Sequence, residues 1–119
     1  MKLPTLSELS PYYSRIDLLE KVVEQIKKDF NWFSLEISFT GLSESPYQEL
    51  YGQILPLIEE LLNDNYPKLM AMLYRIDLDE QLINKKLKEN NYSDTDEVIT
   101  DLIIKRELQK VIIRECYSA

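Results

Sequence analysis

The sequence predicts an all-α protein, a bundle of four to five helices, and three observations support that fold class. Along most of the 119 residues, apolar positions recur with the three-and-four spacing of a helix face. Only two glycines occur, whereas a β-rich fold with many tight turns draws on glycine for its positive φ angles. Hydrophobic residues make up 45% of the chain, which is ample for one core. We therefore expect residues 1–119 to form a single helical domain.

The first half of the chain predicts an arm, a helix and an extended connector. Residues 1–12 contain two prolines and spaced leucines, which is typical of an N-terminal arm or a short helical turn. A helix is predicted over about residues 15–33, where apolar side chains occupy one face. Residues 34–41 instead alternate apolar and polar side chains, the pattern of an extended segment with one buried side. No second strand is evident, so we expect a connector that lies against helices.

The second half predicts four more helices. Ser45 is a candidate N-cap with Pro46 at the first helical position, and Pro56 should kink the helix that follows. Residues 63–67 indicate a stop and a restart, after which shorter helices are predicted over about 67–75 and 78–89. A long last helix covers about residues 95–117. Its acids cluster early and its bases late, which complements the helix dipole.

The last helix has apolar residues on more than one side. A surface helix needs one apolar stripe, so this pattern indicates either a central helix or a helix that partly faces a second copy of the chain. The second alternative makes the helix a homodimer interface. The candidate dimer face consists of Ile103, Ile104, Val111 and Ile113.

A short motif, Arg-Ile-Asp-Leu-x-Glu, occurs at residues 15–20 and again at 75–80. In both copies Asp and Glu have the spacing of a capping box, so we interpret the motif as repeated helix-start punctuation at Asp17 and Asp77. A duplicated helical hairpin and a repeated functional Arg/Asp pair are the alternatives.

The negative charge of the chain is concentrated in one segment. The chain carries a net charge of −7, and residues 29–67 hold seven acids and no lysine or arginine, which accounts for all of it. The same segment contains seven of the twelve aromatic residues. Aromatic side chains are enriched in binding hot spots, and complementary charge speeds encounter with an oppositely charged partner. The alternative to a binding role is that these aromatic residues pack in the core. The candidate interaction surface consists of Trp32, Phe33, Glu36, Tyr47, Tyr51, Glu59, Glu60 and Asp64.

The composition excludes several kinds of chemistry. The chain has no histidine, which removes the commonest general base and metal ligand, and its two scattered glycines cannot form a phosphate-binding loop. Its single cysteine, Cys116, cannot make a zinc site or a redox pair. We therefore predict no cofactor, no metal site and no catalytic residue. Carboxylates at helical i,i+4 spacing could hold Mg²⁺, although we favour solvated helix faces as their explanation: Glu20 with Glu24, Glu60 with Asp64, and Glu97 with Asp101.

These observations leave three functional hypotheses and name no partner. The leading one is a small non-catalytic interaction or scaffold protein, which is a homodimer if the last helix faces a second copy. An acidic inhibitor or immunity-type protein that blocks a basic partner is the alternative, and a carboxylate-only Mg²⁺ hydrolase is the second alternative. An acidic chain is a poor match for nucleic acid. The sequence has no membrane-length apolar run and no evident secretory signal, so we expect a cytoplasmic protein that does not bind membranes.

Overall fold

The computed structural model describes residues 8–12, 15–41, 44–89 and 94–116, and these residues form an all-α bundle. A short 3-10 turn at Ser10–Tyr12 comes first. Five helices follow in chain order: α1 (Ile16–Asn31), α2 (Pro46–Asp64), α3 (Tyr66–Ile76), α4 (Glu80–Glu89) and α5 (Thr95–Cys116). The described residues contain no strand, so the predicted fold class is confirmed. Of the predicted N-terminal arm, residues 1–7 lie outside the described residues.

Helix α5 is the centre of the bundle and packs against each of the other four helices. This position explains why its apolar residues occupy several sides, because each side meets a different neighbour. Ile103, Ile104 and Val111 of the candidate dimer face have no exposed surface in the single chain. Since other helices of the same chain already cover these three side chains, they offer no surface to a second copy. Ile113 alone of the four is partly accessible.

One hydrophobic cluster contains residues from all five helices. Leu9, next to the 3-10 turn, belongs to it and is fully buried, as is Phe30 at the end of α1. Helix α4 contributes least, because Ile83 is its one buried residue. The core is therefore built mainly by α1, α2, α3 and α5, with α4 attached to the outside of α5.

Residues 35–40 form the predicted extended connector, which is attached to α2 by side-chain hydrogen bonds. Ile37 is buried, which matches the predicted alternation. The Glu49 carboxylate accepts from the backbone N–H of Thr40 at 2.8 Å and from that of Gly41 at 3.2 Å. The Gln53 side chain accepts from the backbone N–H of Ser38 at 3.0 Å. Side chains of α2 thus satisfy backbone donors that a neighbouring strand would otherwise satisfy.

The predicted punctuation of α2 and α3 is largely confirmed. Pro46 begins α2, and Pro56 lies inside this helix, which continues to Asp64. Ser45 occupies the N-cap position, but its side chain does not make the capping hydrogen bond. The restart after α2 depends on Asn65, whose side chain accepts from the backbone N–H of Lys68 at 3.3 Å.

The capping-box interpretation of the repeated motif is wrong at both copies, although the first copy does lie at a helix start. Arg15, not Asp17, is the N-cap of α1, and Asp17 lies in the first turn, where it accepts two hydrogen bonds from the Arg15 guanidinium at 3.0 and 2.8 Å. Asp77 ends α3 as a left-handed residue with φ 70°, and the next backbone N–H, of Leu78, donates to Leu73 at 2.9 Å. The repeated letters therefore mark a helix beginning in one copy and a helix end in the other.

The few glycines are compensated by polar residues in the left-handed region. Ser34, Asp77 and Asp94 have φ angles of 61°, 70° and 53°. Asp tolerates this conformation better than most residues because its short side chain bonds locally to the backbone.

None of the helices in the described part of the chain has both the length and the apolar character that a membrane crossing requires.

Candidate functional site: an acidic face and a buried acid pair

Five carboxylates gather where the second half of α2 meets the start of α5, and we call this surface the acidic face. Glu59 comes from α2, whereas the other four come from α5 or the residue before it. In the sequence these α5 acids indicate a complement to the helix dipole, and Glu97 with Asp101 also a candidate Mg²⁺ pair, but their proximity to Glu59 is not evident. The available signal was the absence of any base between residues 94 and 104. The acidic face consists of Glu59, Asp94, Asp96, Glu97 and Asp101.

The carboxyl groups of Glu59 and Asp96 crowd each other across the two helices. A side-chain hydrogen bond with Asp96 is the main reason why the pKa of Glu59 is raised, and the negative charges of Asp96 and Glu97 add to the effect. Two carboxyl groups can share such a bond only when one of them carries a proton. A positive charge placed between them would remove the need for that proton.

Two tyrosines of α2 form the inner edge of the acidic face. The Tyr47 hydroxyl donates to the Asp101 carboxylate, which also pairs with Lys105 at 2.7 Å. The Tyr51 hydroxyl donates to the Glu97 backbone oxygen at 3.5 Å. Burial and then the surrounding negative charges, beginning with Glu97, raise the pKa of Tyr51 to about 12. The Tyr51 hydroxyl therefore stays protonated and remains a donor to the Glu97 backbone oxygen.

An open groove runs along the acidic face and has a volume of about 400 Å³. Carboxylates line it from both helices, and Leu62 supplies an apolar patch. A groove of this kind suits a long cationic side chain, whose methylene stem packs on apolar surface while its charged end meets the acids. The lining residues are Glu59, Leu62, Asn63, Asp94, Thr95 and Asp96.

The structure divides the predicted interaction surface into separate places. Tyr51 and Glu59 lie at the acidic face, whereas Tyr47 is buried behind it. Glu60 and Asp64 line a different groove of about 260 Å³ with Leu35 of the connector. The other three residues lie around the end of α1 and the connector: Trp32 and Glu36 are exposed, and Phe33 packs partly against the core.

A second acid cluster, which we call the buried acid pair, joins α1 to α5. It consists of Asp29 and Glu107, whose exposed fractions are 4% and 0%. Asp29 accepts from the Arg75 guanidinium of α3 at 3.1 Å and from the Gln25 amide at 3.4 Å. Buried carboxylates are rare unless they are paired, so three helices meet at a polar centre inside an otherwise apolar core.

Glu107 is the less satisfied member of the buried acid pair. Its Oε1 atom lies 3.3 Å from the Lys110 ammonium, whereas its Oε2 atom has no hydrogen-bond partner among the described residues. Burial raises the pKa of Glu107 to about 7; Lys110 opposes this shift, and the neighbouring Asp29 carboxyl adds to it. The sequence signal was an acid one turn from Ile103 and Ile104, on the apolar side of α5.

The buried acid pair reaches the surface through Arg75 and Trp32. The Arg75 guanidinium carbon lies 4.7 Å from the centre of the Trp32 ring, a cation–π contact. Trp32 is 71% exposed, although it is one of the largest apolar side chains in the protein. Arg75 therefore contacts a buried carboxylate on one side and an exposed aromatic ring on the other.

The Mg²⁺ hypothesis requires at least three carboxylates that converge on one point. In residues 8–12, 15–41, 44–89 and 94–116, no group of three or more acids or cysteines is placed to hold a metal ion. The helical pairs at 20 and 24, 60 and 64, and 97 and 101 therefore do not combine into such a site in the described part of the chain. The side chain of Cys116 lies outside the described residues.

Comparison of the chain with protein families, curated proteins and solved structures finds no match.

Proposed function

We propose that the protein is a non-catalytic binding protein whose acidic face receives a basic protein partner. The observation that carries this proposal is the open groove of about 400 Å³, which carboxylates of Glu59, Asp94 and Asp96 line without any base among the described residues. A lysine or arginine from a partner would supply the missing positive charge and bind these groups. An inhibitor or immunity-type protein directed at a basic enzyme is one member of this class.

The arrangement of polar groups also favours a protein partner over a small cation. The groove combines carboxylates with Leu62, and Tyr51 stands beside it as a half-buried aromatic side chain. Aromatic anchors surrounded by complementary charge are typical of protein interfaces. Self-association through the same face is disfavoured, because a two-fold interface would place like charges opposite each other. The single cysteine, which leaves no intramolecular disulfide, supports our further proposal that binding occurs in the cytoplasm.

The decisive experiment maps where a short oligolysine peptide binds. In amide chemical-shift perturbation at low salt, we expect the largest shifts at the end of α2 and the start of α5, and we expect added salt to weaken them. The double variant Glu59→Gln with Asp96→Asn should lose several-fold in affinity. Asparagine at 96 keeps the oxygen that accepts from the backbone N–H of Glu97 at 2.9 Å, so the helix start is preserved.

The matched control is Glu20→Gln with Glu24→Gln, which removes the same charge from an exposed face of α1. This control should bind the peptide like the wild-type protein. Equal losses in the two double variants would mean that the peptide responds only to net charge, and the proposal would then be rejected. Shifts spread evenly over the surface would reject it as well.

A further inference from the structure

We propose that Asp29 and Glu107 form a buried proton-binding pair, and that loss of the shared proton loosens the packing of α5 against α1 and α3 and changes the surroundings of Trp32. This inference is independent of the proposed binding function, because the pair lies inside the core and the acidic face lies on the surface.

The geometry around the Glu107 carboxyl group favours its protonated form. Glu107 has no exposed surface, and its Oε2 atom lacks a hydrogen-bond donor among the described residues. Leaving a buried acceptor unsatisfied is costly, and leaving a charged one unsatisfied costs more. The neighbouring Asp29 carboxyl contributes to the raised pKa of Glu107 through its charge and a side-chain hydrogen bond. A proton on Glu107 turns two facing acceptors into a donor and an acceptor, so one proton satisfies the pair.

The positive charges that face the buried acid pair come from α3 and from α5. From α3, Arg75 pairs with Asp29 at 3.1 Å, and from α5 itself, Lys110 lies 3.3 Å from Glu107. Gln25 of α1 adds an uncharged donor to Asp29. Helices α2 and α4 also contact α5, but none of the charged groups that shift the pKa of Glu107 belongs to them. Two carboxyl groups thus face two cations, both of which are partly exposed to solvent.

The raised pKa of Glu107 determines how pH changes the stability of the folded state. Burial is the largest influence on Glu107 and raises its pKa from 4.5 to about 7. Between these two pH values the unfolded chain has lost the proton while the folded protein keeps it, so the folded state becomes less favoured as pH rises. The unfolding equilibrium constant should increase by up to roughly 300-fold over this interval, since each pH unit contributes about tenfold. Above the pKa of Glu107 in the folded protein, a further rise in pH no longer changes the unfolding equilibrium constant through this group.

Arg75 connects the buried acid pair to the surface, because it contacts both Asp29 and Trp32. Deprotonated Glu107 repels Asp29, and Asp29 is held by the same Arg75 that stacks on Trp32. A shift of Asp29 or Arg75 therefore changes the contact with the exposed ring. The chain contains one tryptophan, so tryptophan fluorescence reports on the surroundings of this ring.

Carboxyl ¹³C NMR of the wild-type protein tests the proton directly. We expect the Glu107 carboxyl to titrate near the raised value of about 7, and Trp32 fluorescence to change with the same midpoint. If every glutamate carboxyl titrates below about pH 5.5, the range of ordinary surface acids, the proposal is overturned. A fluorescence signal that stays constant while Glu107 titrates would overturn the link to Trp32.

The variant Glu107→Gln separates a shared proton from a merely structural acid. The glutamine amide can donate permanently to Asp29, so it imitates the protonated form. We expect its Trp32 signal to stay at the acid value at all pH. We also expect its unfolding constant at about pH 8 to be roughly tenfold to a hundredfold lower than that of the wild type. A variant less stable than the wild type at that pH would indicate that Glu107 is normally ionised.

The control variant is Glu59→Gln, which removes the other glutamate whose pKa is raised by an acidic neighbour, but on the exposed surface. It should retain the full pH response of Trp32. Loss of the response in this variant would assign it to the acidic face and contradict the proposal. If Glu107→Gln does not fold, the ¹³C titration of the wild-type protein alone still decides the question.

Discussion

The acidic face and the buried acid pair contain the same chemical groups, but solvent gives them different roles. At the acidic face the pKa of Glu59 is raised mainly by its bond with Asp96, whereas at the buried acid pair the pKa of Glu107 is raised mainly by burial. Water screens the first cluster, which leaves its carboxylates accessible to a partner. The second cluster is enclosed, so it affects the packing of three helices. We propose that the crowded acids on the surface serve binding and that those in the core couple protonation to stability.

The largest effect is expected when Asp29 is replaced by alanine. The buried Asp29 carboxylate bonds to Arg75, which is 39% exposed, and to Gln25; loss of both hydrogen bonds should cost about 3 kcal/mol in the free energy of unfolding. Chemical denaturation would measure it. Asp29→Asn keeps an acceptor for Arg75 and should cost less. Asp64→Ala, at an exposed position, is the control and should be nearly neutral. Similar losses at positions 29 and 64 would abolish the distinction between the two clusters.

The pH profile of stability should come second in size. Glu107 should lower the free energy of unfolding by about 2 kcal/mol as pH rises from about 5 to about 7.5, because the folded protein holds a proton that the unfolded chain has lost. Glu49 acts in the opposite sense, because its bonds from Thr40 lower its pKa and its contribution is lost in acid. Urea titrations over pH should therefore show the highest free energy of unfolding between the pH at which Glu49 is protonated and the pH at which Glu107 is deprotonated. A profile that rises steadily to alkaline pH would contradict this expectation.

A medium effect is expected at the inner edge of the acidic face. Tyr47→Phe removes the hydroxyl that donates to Asp101 and should cost about 1 kcal/mol, which is typical of one hydrogen bond. Tyr51→Phe removes a longer bond of 3.5 Å from a more exposed ring and should cost less. Thermal unfolding of the two variants side by side would show the order. The reverse order would mean that Tyr51, not Tyr47, anchors α2 to α5.

The smallest effect is expected from Glu59→Gln. Removing one of the crowded charges should stabilise the fold slightly at low salt, and molar salt should abolish the difference, because the group is exposed and screened. Denaturation midpoints at two salt concentrations would test this. Asp96→Asn, on the other side of the same bond, should behave alike. A salt-independent gain would mean that Glu59 is strained by packing and not by charge.

The sequence predicts most of the fold because the fold depends on periodic patterns. The apolar faces, the break between α2 and α3 and the extended connector all follow from local spacing, and the structure confirms them. The repeated motif misled because capping depends on which residue enters the helix first, and that residue is Arg15 in one copy, while Asp77 ends a helix in the other.

The two acid clusters were harder to predict because each is made of residues far apart in the chain. Glu59 meets Asp96, and Asp29 meets Glu107, only after the helices have packed. The Arg75–Asp29 pair likewise joins residues 46 positions apart. Long-range pairs of this kind leave no local spacing. In the sequence they show only as charges that interrupt an apolar face or lack a nearby counter-charge.

The central position of α5 has a consequence for biosynthesis. The four helices that pack against it all precede it in the chain, so they leave the ribosome before the element that joins them exists. Until α5 emerges, the apolar sides of α1, α2 and α3 that it covers are exposed to solvent or to chaperones, and compact structure must wait. Folding of this bundle should therefore depend on the arrival of one helix.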